Sequence, residues 1–305
     1  MTYISRTMAR FPWLWLCILG LLWGANFLFM KNAAHLGATL IVWFRLFFGA
    51  IVLTPIIPTA LKKIIRSPKP WLHLLVMSLS ANVLTFHCFM EGTRRLGTGT
   101  AGVISGAIPL MTALLASILL PNERLTKLSI LGLLLSFSGI VVIMAPKGTG
   151  SLDVLSGTGY MLVGALGYAV AFVYARRFLT HGDLSPLELA ALQMAIATIL
   201  YAPLVKWSDM TDIGWNWIFF GNVVLGLGVF GSGLAYVIYY GLIEAIGAIS
   251  TSSVTYLPPL VALVLGWIVL HEPMHLYQAT GTAMVLAGIF IIRKNRQKIL
   301  PSTKR

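Results

Sequence analysis

Between Trp13 and Ile292 the sequence is a succession of apolar stretches of about 20 residues, separated by short polar breaks. A stretch of that length is what an α-helix needs to cross the hydrocarbon of a bilayer, where its backbone amides and carbonyls must be satisfied within the helix itself. The chain therefore reads as an all-α polytopic membrane protein. Composition agrees: 58% of residues are hydrophobic and 10% charged, with a mean hydropathy of +0.86, whereas a soluble domain runs near about 45–50% and about 25%. The net charge of +13 would suggest nucleic acid in a soluble chain. Here the lysines and arginines sit in short loops and tails, where membrane orientation accounts for them, so membrane lipids are expected as partners and nucleic acid is not. Cys17 and Cys88 fall in apolar segments near opposite faces, which argues against a mutual disulfide.

The layout of the C-terminal third already appears in the first half. A shift of 149 residues carries Gly92 onto Gly241, Pro109 onto Pro258, Ala113 onto Ala262, Leu114 onto Leu263, Glu123 onto Glu272, Gly132 onto Gly281 and Gly139 onto Gly288. A period of half the chain, with Pro, Glu and Gly at fixed places inside apolar stretches, indicates duplicated halves rather than a solenoid of short units.

The spacing predicts ten transmembrane helices, over 13–30, 39–58, 71–91, 99–120, 128–145, 159–178, 187–205, 217–241, 248–270 and 277–292. The first run lacks a small-x-small cleavage site and its Gly20-Leu-Leu-Trp-Gly-Ala resembles Gly164-Ala-Leu-Gly-Tyr-Ala, so it is expected to be a helix and not a leader. The Gly-rich stretch 146–158 is the expected linker, dividing a first five-helix repeat, 1–145, from a second, 159–305, with a basic cytoplasmic tail. With the N-terminus inside, sixteen Lys and Arg fall on the cytoplasmic side against Lys31, Arg94, Arg95, Lys147 and Lys206 outside. The positive-inside rule thus places both termini in the cytoplasm. An odd number of helices per half inserts the second half upside down, giving inverted repeats, whose two antiparallel halves can open a central site to either side in turn.

Two literal motifs bear on chemistry. His271-Glu272-Pro273-Met274-His275 spells the HExxH of zinc proteases, but that chemistry needs both His on one continuous helix, which Pro273 disfavours, and Glu272 matches Glu123, which has no His partners. No metal is expected. Gly226-Leu-Gly228-Val-Phe-Gly231 is a GxGxxG without the strand that a dinucleotide site requires, so close helix packing explains it better; Gly20-xxx-Gly24 and Gly102-xxx-Gly106 suit the same role.

Ionisable groups within the membrane core are costly and usually functional. All nine Asp and Glu lie at helix ends or in loops. The polar candidates in the core are Asn26, Asn82, His87, Ser105 and Arg45, each of which also fits a plain helix-to-helix hydrogen bond. For Arg45 two readings stay open: snorkelling outward with Glu91 as ion-pair partner, or holding a substrate carboxylate. Pro109 and Pro258 lie near the middles of the fourth and ninth helices and release the carbonyls of Ser105 and Val254, and paired helix breaks mark transporter sites. With Trp23, Phe86, Tyr168 and Tyr256 as aromatic walls, the substrate-binding set is expected to be Trp23, Asn26, Arg45, Asn82, Phe86, Ser105, Pro109, Tyr168, Tyr256 and Pro258.

Trp23-Gly24-Ala25-Asn26-Phe27, Arg45 and the twice-used Pro, Leu, Glu, Gly and Gly framework resemble the EamA-type family of the drug/metabolite transporter superfamily, over 14–292. Pro121-Asn122 before Glu123, where the family commonly has a Gly, and the double Pro258-Pro259 depart from its pattern. The resemblance implies a ten-helix pseudo-twofold fold around a central cavity and export of amino acids or other small metabolites. The expected function is that of an inner-membrane secondary transporter of a small organic solute, not an enzyme, with no cofactor. A lipid-linked precursor flippase is one alternative; a membrane metalloenzyme using His271 and His275 is another.

Overall fold

The structure is a computed structural model that describes residues 8–65, 69–119, 126–144, 152–178, 184–213, 217–246, 251, 254, 257–272 and 275–299. Among these every regular element is helical. In chain order they are α1 (Pro12–Asn32), α2 (Ala38–Ile64), α3 (Trp71–Leu96), α4 (Thr98–Leu119), α5 (Lys127–Ile143), α6 (Leu152–Ala175), α7 (Leu187–Leu204), α8 (Phe219–Leu242), α9 (Leu257–Leu270) and α10 (Leu276–Ile291). Seven are long and apolar enough to cross a membrane; α5, α9 and α10 are shorter apolar helices.

Several boundaries differ from those expected, for identifiable reasons. Helix α2 does not stop at Pro58: Pro55 and Pro58 each occupy the first turn of a new segment, Thr54–Ile56 and then Ile57–Ile64, where no amide is required of them. The linker expected over 146–158 is already helical from Leu152, with Asp153 in the first turn, where a carboxylate complements the helix dipole. Helix α7 starts on a capping box in which the Ser185 side chain and the Glu188 carboxylate satisfy each other's backbone amides.

Helix α4 is interrupted at Gly106, between Thr98–Ser105 and Ala107–Leu119. The ring of Pro109 cannot donate to, and crowds, the carbonyl of Ser105, so the break falls where the sequence expects it. Pro258 is the second residue of the described segment Leu257–Leu270, and the two residues before that segment lie outside the described ones. Helices α3 and α8 each contain a π-wound stretch, Ser78–Leu84 and Phe219–Leu234. The 149-residue shift carries 78–84 onto 227–233, so the widened winding belongs to the repeat; such windings are frequent at functional sites.

The helices pack in reciprocal pairs. Helix α1 lies on α9 as α6 lies on α4, α2 on α8 as α7 on α3, and α1 on α8 as α6 on α3, while α4 with α9 and α5 with α10 are their own counterparts. This is the contact pattern of a twofold axis relating the halves. The duplicated glycines lie on that axis. A methyl group built at Gly139 would sit 2.6 Å from the carbonyl oxygen of Gly281, and one at Gly288 would collide with the carbonyl oxygen of Gly132. Pairing 139 with 281 and 132 with 288 requires α5 and α10 to run antiparallel. Between them Ser136 donates to the carbonyl of Val285, its own repeat counterpart, at 3.1 Å.

The glycines of the GxGxxG stretch serve packing. Side chains at Gly226 and Gly228 would meet Phe29 and Phe48 at 2.6 and 2.5 Å, and one at Gly231 would strike the Asn26 amide. Small residues thus bring α8 against α1 and α2, and this approach positions the site.

Candidate functional site

Arg45 is turned to the middle of the bundle. Its Nε donates to Ser232 Oγ of α8 at 3.0 Å, and its guanidinium carbon lies 3.8 Å from the ring centre of Phe86 on α3. Only 6% of the residue is exposed. A desolvated cation over an aromatic face is stabilised by about 2 kcal/mol, far short of the cost of burying a lone charge. The expected outward snorkel with Glu91 as partner is not what forms. Glu91 is held by Arg94 at 3.0 Å and by Arg95, both on its own helix within one turn. Among the described residues no carboxylate pairs with Arg45.

Around the guanidinium stand hydroxyl and amide groups from both halves. The hydroxyls of Tyr168 on α6 and Tyr236 on α8 meet each other beside Arg45, and the Tyr236 hydroxyl also meets the Asn82 amide. Asn82 comes from the π-wound part of α3 and Ser232 from that of α8. The Asn82 amide nitrogen faces the Met194 sulfur at 3.8 Å, while Asn82 Oδ1 is buried without a hydrogen-bond partner. Asn26 donates to the carbonyl of Gly231 at 3.4 Å, and its Oδ1 is likewise buried and unpartnered. Buried acceptors left unmade are costly and uncommon, so these two amide oxygens suit a ligand that brings donors.

Aromatic rings continue the wall on both sides. Trp23 lies 5.3 Å from Tyr239, which lies 5.1 Å from Tyr240, which in turn stacks 6.1 Å from Tyr236. On the other side Tyr168 meets Phe89 at 5.9 Å and Phe172 at 5.8 Å.

Of the ten residues expected at the site, Arg45, Asn82, Phe86 and Tyr168 form one cluster, and Trp23 joins it through the tyrosines. Asn26 is tied to α8 nearby. Ser105 donates to the Gly102 carbonyl within its own turn at 2.5 Å, and Pro109 marks the break in α4. The carbonyl of Pro258 would lie 3.1 Å from a side chain at Gly24, so this proline packs α9 onto α1. Tyr256 lies outside the described residues. Sequence reasoning missed Ser232, Tyr236, Tyr239, Tyr240 and Met194. The repeat contained a signal for some: shifting Arg45 by 149 gives Met194, and shifting Asn82 gives Gly231, beside Ser232.

The His271 to Glu272 stretch has another use. Both Glu272 oxygens accept backbone amides at the start of α4, from Thr98 at 2.8 Å and Gly99 at 3.0 Å. A lateral groove of about 600 Å³ opens between α5 and α6, lined by Phe137, Val141, Leu155 and Leu162, with Ser138 and Thr158 as its polar members. Such an apolar lining suits hydrocarbon and offers little to a charged head group.

The profile of the EamA-like transporter family matches residues 10–145 and 155–294, one match in each half. The chain is 25% identical over 279 residues to the uncharacterized transporter YvbV of Bacillus subtilis, covering 91% of this chain and 90% of that one. It is 27% identical over 215 residues to an uncharacterized transporter of Archaeoglobus fulgidus, covering 70% and 75%. A WAT1-related chloroplastic protein of Arabidopsis thaliana is 26% identical over 284 residues, covering 88% and 66%. One crystal structure superposes with a TM-score of 0.61 at 19% identity, covering 94% of this chain and 98% of that one, which is a likeness of fold. With a family match in each half and helices apolar enough to cross a membrane, the chain is an integral membrane protein that belongs to the EamA-like transporter family.

Proposed function

We propose that this protein is a secondary transporter that exports a small amphipathic solute carrying both a carboxylate and an amino group, by alternating access at the Arg45 site. One observation carries the reading: a buried guanidinium that has no carboxylate partner among the described residues, bonded to Ser232 and set over the Phe86 ring, in a core that also holds the unpartnered amide oxygens of Asn26 and Asn82. A carboxylate on Arg45 would supply the missing counter-charge through paired hydrogen bonds. An ammonium group would supply the donors that Asn82 and Asn26 lack, and the rings would hold an apolar side chain. The substrate-binding set is Arg45, Asn82, Phe86, Tyr168 and Trp23, with Ser232 and Tyr236 added; Asn26, Ser105, Pro109 and Pro258 support its shape.

All ten helices, the seven long and the three shorter, cross the cytoplasmic membrane with both termini inside, and the five-helix halves are inverted. The reciprocal packing and the antiparallel glycine contact between α5 and α10 support that topology. No reaction chemistry is involved, since the one HExxH carboxylate is engaged with backbone amides. The test is to compare metabolites released by cells with excess protein against empty-vector cells, then measure uptake of the leading solute in proteoliposomes. A saturable flux of an amino acid or related zwitterion, lost in Arg45→Gln, is expected. Release of phosphorylated or lipid-linked compounds alone would overturn the assignment.

A further inference from the structure

The seam between α3 and α7 is fastened at three levels. Ser78 donates to the carbonyl of Gln193 at 3.0 Å, the Asn82 amide faces the Met194 sulfur at 3.8 Å, and His87 Nδ1 lies 2.6 Å from the Tyr201 hydroxyl. Residue numbers rise together along the two helices, so they run parallel, and the His87–Tyr201 pair closes the seam beyond Asn82, on the external side in the orientation proposed above. Nine residues separate His87 from Leu96 at the end of α3, a rise of roughly 14 Å. Tyr201 is fully buried and His87 partly so.

Of the three fastenings this one alone can titrate near neutrality. Imidazole is the side chain whose ordinary titration falls between about pH 5 and 8, and His73 and His87 are the imidazoles in the described membrane-spanning helices. His73 stands near the start of α3, 2.8 Å from the Tyr174 hydroxyl of α6, whereas His87 follows Phe86, the ring against the Arg45 guanidinium of α2. On its own helix His87 has the Cys88 thiol beside it and Glu91 one turn on, the latter engaged by Arg94 and Arg95. From α7 comes Tyr201, from α6 Tyr168 against Phe89, and from α1 Lys31 at the Arg94 carbonyl; α4 carries no titratable side chain. The 149-residue shift carries His87 to Tyr236 and Val52 to Tyr201, so the matching place of the α2–α8 seam holds a phenol and an isopropyl group, with Val52 packed where Gly233 leaves room. The two seams follow one path and differ in this pair.

We propose that His87 is a proton-binding site that governs the outer half of the α3–α7 seam. Neutral His87 accepts the Tyr201 O–H at Nδ1 and holds the helices together. A proton from the external water adds to Nδ1, which becomes a donor to the phenol oxygen; the Tyr201 proton is then left without an acceptor in the core, and the seam is released. Because α3 and α7 bring Asn82 and Met194 to the site, parting them beyond those residues opens it to the outside. The proposal rests on the alternating-access reading above and gives external protons a means of favouring the state that lets the solute go.

The test reads the seam directly, without solute. In full-length protein lacking Cys17 and Cys88 and held in nanodiscs, spin labels at Leu84→Cys and Ile199→Cys, two exposed positions near the pair, report the α3–α7 distance. Between about pH 8 and about pH 5 a longer distance should grow about tenfold in population, with its midpoint in the imidazole range. His87→Gln should give one distribution at both pH values. Tyr201→Phe, which keeps the ring and its packing, should show the longer distance already at the higher pH and lose the response. Labels at Ile51→Cys and Leu234→Cys, exposed on the α2–α8 seam, should not respond, which separates a local switch from general loosening in acid. No response in the parent, a response that survives in His87→Gln or Tyr201→Phe, or equal responses in both seams would overturn the proposal. A wrong solute assignment leaves these distances untouched, so absence of amino-acid flux with the seam response intact would fault the solute reading alone.

Discussion

Arg45 and Met194 occupy one position of the repeat, and the site is lopsided as a result. On one side a guanidinium meets Ser232 of α8; on the other a thioether meets Asn82 of α3. The charge is thus placed off the axis, which gives a solute with unlike ends a single way to sit. Replacing Arg45 by Lys keeps the charge but loses the planar pair of donors, so KM for a carboxylated solute should rise about tenfold with little change in melting temperature. Proteoliposome flux and a thermal melt on the same preparation check both halves of that statement. Glu91→Gln, by contrast, should leave KM unchanged, because the Glu91 carboxylate is engaged by Arg94 and Arg95 and not by Arg45.

At the level of helices, the most constrained contacts are those where glycine faces backbone. Gly288→Ala would drive a methyl group into the Gly132 carbonyl and the Ser136 side chain, and Gly231→Ala would displace Asn26. Each should destabilise the protein by about 1–3 kcal/mol, read as a lower melting temperature in detergent. Only Gly231→Ala should also weaken transport, since Asn26 borders the site.

Gly288 was legible in the sequence as part of the repeat and Gly231 as part of the GxGxxG stretch, but neither with its partner, because spacing does not say which faces meet. Arg45, Asn82, Phe86 and Tyr168 were legible because a charge, an amide or a ring inside an apolar run stands out. Ser232 and Tyr236 were not: a hydroxyl among glycines and one tyrosine among several carry no such contrast. The π-wound parts of α3 and α8 turn Asn82 and Ser232 by an amount that a regular helical wheel does not give. The approach of the Pro258 carbonyl to Gly24 is a contact that its match to Pro109 in the repeat does not give.

For the whole molecule, the proposed orientation with both termini inside makes a direct prediction: a single Cys at Ser151 in a protein lacking Cys17 and Cys88 should react with an impermeant maleimide added outside intact cells. Labelling only after permeabilisation would reverse the assigned orientation. The seam between α5 and α10 has a consequence for how such a chain can be assembled. Its two sides carry the same glycines at the same spacing, and each side is completed by the other, so recognition between the halves does not depend on the peptide that joins them. Two separately translated fragments, 1–145 and 152–305, should therefore find one another in the membrane and copurify, whereas Gly139→Leu in the first fragment should abolish recovery of the second.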